Sequence, residues 1–152
     1  MNNQSGRSLI ELIGVMAIGG VMTAGAIGIY TSVHNEQRRA VAATVLQEIA
    51  QNTKLLMESR GTYDGVSVDY LVKAGALKNT DAPIGDANWS VTPTLDGTGF
   101  MINLNGLSMG DCDYFETAIP TWAETVRING NDFDGSDNCF ASKINQVSFI
   151  VK

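Results

Sequence analysis

Glu11 is the residue that asks most of its surroundings. It stands in SGRSLIELIGVMAIGGVM, residues 5–22, at the head of a run, residues 12–30, that carries no charge. A carboxylate at the centre of a bilayer costs roughly 2.5–3.5 kcal/mol on insertion scales, so an ionisable group in such company is a functional residue by default. Two fates suit it. A cationic amine brought close would form a charge-assisted hydrogen bond and offset the cost. Alternatively the side chain, lying near the end of the run, would snorkel to headgroups. Just ahead of it comes Gly6-Arg7-Ser8, so a small residue precedes the apolar run. A secretory signal has the opposite order, with its small-residue cleavage site beyond the apolar core. Residues 1–6 hold no charged side chain, and no A-x-A-like site follows the run.

Other groups could do chemistry further along. Cys112 and Cys139 are the two cysteines. Beside a membrane-length segment an even count suggests a disulfide formed in an oxidising compartment. Closing a loop of that size is worth about 3.5 kcal/mol by loop entropy; two buried free thiols are the alternative. NGNDFDGSDN, residues 129–138, offers Asp132, Asp134 and Asp137 in a glycine-punctuated loop. Alternating oxygen ligands around a turn glycine could hold calcium, yet EF-hand spacing is absent and no glutamate follows twelve residues on. A solvated turn is the expectation, with no metal and no cofactor. His34, the single histidine, lies near Glu36 with no recognisable nucleophile motif beside it, so no catalytic residue is assigned. GVMAIGGVM lacks the lysine of a phosphate loop. Trp89 and Trp122 read as core anchors.

These groups must be positioned by a chain of 152 residues with net charge −6. That balance argues against nucleic acid, because binding to phosphates needs clustered basic residues, and Arg38–Arg39 is the only adjacent basic pair. Residues 12–30 come close to the ~20 needed for a membrane-crossing helix. Gly14, Gly19, Gly20, Gly25 and Gly28, with Ala17, Ala24 and Ala26, would let helix backbones approach closely. Gly19–Gly20 is where the helix is expected to loosen on leaving the bilayer. Beyond the run, Val41, Val45, Ile49 and Leu56, joined by Leu46 and Leu55, continue a helical apolar stripe. Gly61 marks its stop. Residues 9–59 would make about fifty residues, or roughly 75 Å, of helix. No soluble core of this size covers such a length. The first half must lie in lipid or against other subunits, and the second against its own head, which disfavours an enzyme.

After Gly61 the texture changes to a short helix over residues 66–74, a loop at Pro83, Gly85 and Asp86, and strands at 89–95, 100–104, 126–129 and 147–151. TLDGTGF, with Asp96–Gly97, is a hairpin signal. SMGDCDYFETAIPTW reads as a helix carrying Cys112 and broken by Pro120. The expected fold is α+β: one long helix, membrane-spanning in its first half and amphipathic in its second, packed on an antiparallel sheet of about four strands.

G-R-S-L-I-E-L, followed by the apolar run, resembles the class III signal of type IV pilins and type II secretion pseudopilins. The resemblance implies a leader, residues 1–6, cut by prepilin peptidase between Gly6 and Arg7 and then N-methylated on Arg7, where the family usually has Phe or Met. It implies that Glu11, fifth in the mature chain, attracts the amine of a subunit already docked. It also implies a filament-core helix over 7–30, an amphipathic continuation over 31–60 and a head over 61–152. The N-terminus would start in the cytoplasm and the head in the periplasm, with the subunit passing from the inner membrane to an extracellular filament. Arg7 favours that orientation and Arg38–Arg39 compete with it under the positive-inside rule. An assembly ATPase and a polytopic platform protein are the implied partners of this homo-oligomer. NGLSMGDCDYF, ahead of a later strand and a second cysteine, looks like class B type IV pilins, whereas the short leader suits class A or pseudopilins. Three readings follow: a structural pilus subunit; a pseudopilin of a secretion apparatus, which the cysteine pair leans away from; and a bitopic membrane protein with an external binding domain that never polymerises. Only the last would tolerate Glu11→Val.

Overall fold

A computed structural model describes the backbone of residues 3–152 and the side chains of residues 9–18, 29–30 and 32–152. The chain divides into two compact units, Met1–Arg38 and Arg39–Lys152. Helix α1, Asn3–Arg60, contributes to both and extends beyond the expected bounds at each end. It stops at Gly61, whose N–H bonds the Met57 and Glu58 carbonyls at 3.0 and 3.1 Å. At φ +81° a residue without Cβ closes the last turn freely. In the first unit Leu9, Ile10, Leu12, Ile13, Val15, Met16 and Ile18 are all exposed, Ile10 to 74%. Among the described residues no helix is long and apolar enough to cross a membrane; the side chains of residues 19–28, the middle of the apolar run, lie outside them.

The second unit builds its core between the later part of α1 and one sheet. Ala42, Leu46, Ile49, Ala50, Thr53 and Met57 are buried on α1. This stripe corrects the expected one at its ends: Val41 and Leu55 are 62% and 69% exposed and face away from the core. The reason is angular: Ala42, Leu46, Ile49, Ala50, Thr53 and Met57 follow one another at three- and four-residue steps on the face turned to the core, and Val41 and Leu55 fall outside that arc.

The sheet contains β1 (Ser90–Pro93), β2 (Phe100–Leu107), β3 (Thr125–Ile128), β4 (Asn131–Asp132) and β5 (Asn145–Val151) in the order β1-β2-β5-β3-β4. Every pairing is antiparallel. The count is five where about four were expected, because Asn129 and Gly130 both take positive φ, 50° and 85°, and turn the chain back so that Asp132 pairs Arg127. Asn-Gly with two left-handed residues is the strongest short hairpin signal. β1 is shorter than residues 89–95 and β2 runs on past Leu104, with an irregularity between Leu104 and Leu107. Alternation places Phe100, Ile102, Leu104, Val147, Phe149 and Val151 in the core. Gly99 admits the end of β5, since a Cβ there would sit 2.1 Å from the Val151 carbonyl oxygen. Helix α2 (Val68–Lys73) starts at Ser67, whose hydroxyl accepts the Tyr70 N–H. Helix α3 (Met109–Thr117) ends before Pro120 is reached. Both tryptophans serve the core: Trp89 donates to the Thr80 carbonyl at 2.8 Å, and Trp122 lies 5.3 Å from Phe149, ring to ring.

Candidate assembly site and the disulfide-closed head

Glu11 is exposed on α1, between exposed Ile10 and Leu12. One turn on, an added Cβ at Gly14 would meet nothing within 4 Å, so this flank of the helix is open to a closely approaching backbone. No ion pair to Glu11 occurs among the described residues. The helix thus presents a carboxylate in a field of uncovered leucine, isoleucine, valine and methionine. Single exposed apolar residues are ordinary, but a contiguous surface of them marks an interaction site. Gly6, Arg7, Gly19 and Gly20 lie outside the residues whose side chains are described. His34 is exposed and stacks on Tyr30 at 6.1 Å.

In the head, Cys112 and Cys139 form a disulfide with Cα atoms 5.9 Å apart, which settles the choice left open by their number. α3 delivers Cys112. Its N-cap Ser108 accepts the Asp111 N–H at 3.2 Å, and the Asp111 carboxylate accepts from Arg39 Nε at 2.8 Å. That ion pair ties α3 to α1, and Gly110 leaves room for it: a Cβ there would come within 2.6 Å of Arg39 Nη2. The loop bearing Cys139 is organised by Asn145, which is fully buried. Its amide donates to the carbonyls of Leu107, Phe140 and Ser142, and its Oδ1 accepts from Phe140 N and Asn129 Nδ2 at 2.6 and 3.0 Å.

The three aspartates of residues 129–138 are spent on separate partners. Asp132 pairs with Arg127 at 2.6 Å. Asp134 accepts the Ser136 N–H at 2.9 Å, and that hydrogen bond holds its carboxyl below the usual range. Asp137 accepts the Cys139 N–H at 3.1 Å. Among the described residues the group that converges is another one, Asp113, Glu116, Asp137 and Cys139, with atoms within 4.8 Å of one another. Its sulfur is committed to the disulfide and is no thiolate ligand.

Two comparisons bear on this arrangement. Residues 1–27 match the prokaryotic N-terminal methylation motif. The solved structure of a type IV b pilin from Salmonella typhi superposes with a TM-score of 0.52 at 24% identity, over 75% of this chain and 97% of that one. This chain has the type IV pilin fold, headed by the methylation motif. No curated protein sequence matches it.

Three features of this pilin fold were not legible beforehand: the Arg39–Asp111 tie, the Asn145 hub and the burial of Glu116. Ser108-x-x-Asp111 is a helix-start pattern, and Arg38–Arg39 was visible as a basic pair. Nothing local says that they meet across 72 positions. Asn145 reads as an ordinary polar residue before a strand, and only the closing of the loop around it reveals the hub.

Proposed function

We propose that this chain is a prepilin, a structural subunit of a type IV pilus-like filament. The observation that carries the reading is the combination on α1: the methylation motif over residues 1–27, then Glu11 in an apolar surface that its own chain leaves uncovered. Prepilin peptidase cuts after Gly6 and methylates the Arg7 amine. The helix then holds the subunit in the inner membrane with its head outside. On assembly Glu11 accepts a charge-assisted hydrogen bond from the amine of the preceding subunit, which sets the axial register and removes the desolvation cost of both groups. The apolar helices bundle in the filament core. Gly19–Gly20 loosens the helix as it leaves lipid, and an ATPase with a platform membrane protein drives the step. The disulfide in the head supports a pilin over a pseudopilin, and the similar Salmonella typhi protein is a type IV b pilin.

The test is Glu11→Val in the native host, with sheared surface fibres counted by electron microscopy and the subunit N-terminus read by mass spectrometry. Fibres should vanish while the head remains folded and the chain begins at a methylated Arg7. Fibres at normal number, or an intact Met1 on an assembled subunit, would overturn the reading.

A further inference from the structure

Glu116 is only 8% exposed, and its two oxygens are treated differently. Oε1 accepts the Asn138 N–H at 3.3 Å. Oε2 lies 3.6 Å from Cys139 Sγ, and a sulfur already bonded to Cys112 has no hydrogen to donate. In the oxidised head this oxygen therefore stands beside a sulfur that gives it no hydrogen bond. Reduction would place a thiol within hydrogen-bonding reach of Oε2, 3.6 Å away. The contact suits the dithiol better than the disulfide.

The sulfurs also differ in access. Cys112 is completely buried on α3, whereas Cys139 is partly exposed on the loop. We propose that Glu116 is the general base for oxidative closure of this disulfide, and that Cys139 is the sulfur that meets the oxidant. Glu116 takes the thiol proton from Cys139. The thiolate attacks a disulfide oxidant, a small molecule or a thiol oxidase, forming a mixed disulfide and releasing one oxidant sulfur as thiolate, which takes up a proton. The Cys112 thiol, losing its proton to solvent, attacks Cys139 Sγ and expels the second oxidant sulfur. Two thiols of this chain are oxidised and one oxidant disulfide is reduced to two thiols, while Glu116 returns its proton to water. The ionisable groups facing Glu116 are Asp113 on its own helix and Asp137 on the loop opposite; Asp111, nearer the helix start, is paired with Arg39. None of this depends on filament assembly.

The experiment uses the full chain in detergent micelles, reduced with a phosphine and reoxidised with excess glutathione disulfide from pH 5.5 to 9. Acid-quenched samples are read by mass spectrometry. An unassisted thiol, of ordinary pKa about 8.5, loses thiolate about tenfold per pH unit below that value. Wild type should fall less steeply. Glu116→Gln should be about tenfold slower at pH 6, follow the full tenfold slope and converge with wild type at pH 9; Glu116→Asp should lie between them. Cys112→Ser should collect the glutathione adduct on Cys139 at least tenfold faster than Cys139→Ser collects it on Cys112. Superimposable pH profiles for wild type and Glu116→Gln, or equal adduct rates, overturn the proposal. Circular dichroism reports whether the reduced chain keeps its fold. If it does not, the oxidised chain is treated with limiting glutathione at pH 7 and alkylated. The adduct should then sit on Cys139 and form several-fold faster in Glu116→Gln, which lacks the charge that repels the incoming thiolate. An adduct on Cys112, or an unchanged rate, sinks the idea.

Discussion

Residues 9–18 and residues 42–57 belong to the same helix and are rich in the same kinds of side chain, yet the chain deals with them in opposite ways. In the second stretch Leu46, Ile49 and Met57 disappear against Phe100, Phe149 and their neighbours in the sheet. In the first, Leu12, Ile13 and Met16 stay exposed. Apolar burial stabilises at roughly 25 cal/mol per Å² wherever the covering surface comes from. Residues 42–57 find that surface within the chain, whereas among the described residues nothing covers residues 9–18. The contrast separates stability from assembly: changes in residues 39–152 should act on folding, and changes near Glu11 on association.

The largest effect should come from separating the two. The full chain should need detergent to stay dispersed, while a fragment from Arg39 onward should sediment as a folded monomer without it. Aggregation of that fragment would break the comparison. Next, Phe149→Ala removes a ring that meets Phe115 edge-on at 5.5 Å and Trp122 at 5.3 Å, and should cost about 3–5 kcal/mol in denaturant titrations of the head. Replacing both cysteines by serine should cost about 3.5 kcal/mol and leave fibre formation intact if the weakened head survives export. Asp111→Ala strands a partly exposed Arg39, so roughly 2 kcal/mol is expected, below the range for a fully buried pair; thermal melts would show it.

The smallest effect concerns the β1–β2 turn. Hydrogen bonds from Thr94 and then Thr98 lower Asp96 to about 2. A carboxylate with a depressed folded-state pKa stabilises the fold above its unfolded value of about 3.9 and loses that contribution as pH falls toward the folded value. The turn should therefore weaken between about pH 4 and pH 2. Asp96→Asn should flatten the shift of the Thr98 amide resonance, whose N–H donates to the Asp96 carboxylate, over that window, and an unchanged profile would count against the hydrogen bond.

Much of the fold was legible because its signals are local. The alternation in residues 100–104, the Asp96–Gly97 turn and the stop at Gly61 each follow from a few neighbouring residues. The misreadings have local causes too. In NGNDFDGSDN the carboxylates draw the eye, but the opening Asn-Gly is the pair that shapes the backbone and adds the short fifth strand. Val41 and Leu55 fit the apolar periodicity of α1, yet they lie outside the arc that Ala42, Leu46, Ile49, Ala50 and Met57 turn to the core.

For the candidate sites the division is sharper. The linear order of residues by itself determined that an acid stands at the head of an apolar run behind a Gly-Arg pair, because that pattern is a matter of chemical type along one helix. It also determined that two cysteines exist to be paired. Only the tertiary structure decided that they do pair, that Glu116 is buried against one of them and that Arg39 reaches Asp111. Those facts depend on which surfaces the chain brings together after closing loops of tens of residues, and no short stretch of sequence carries that distance.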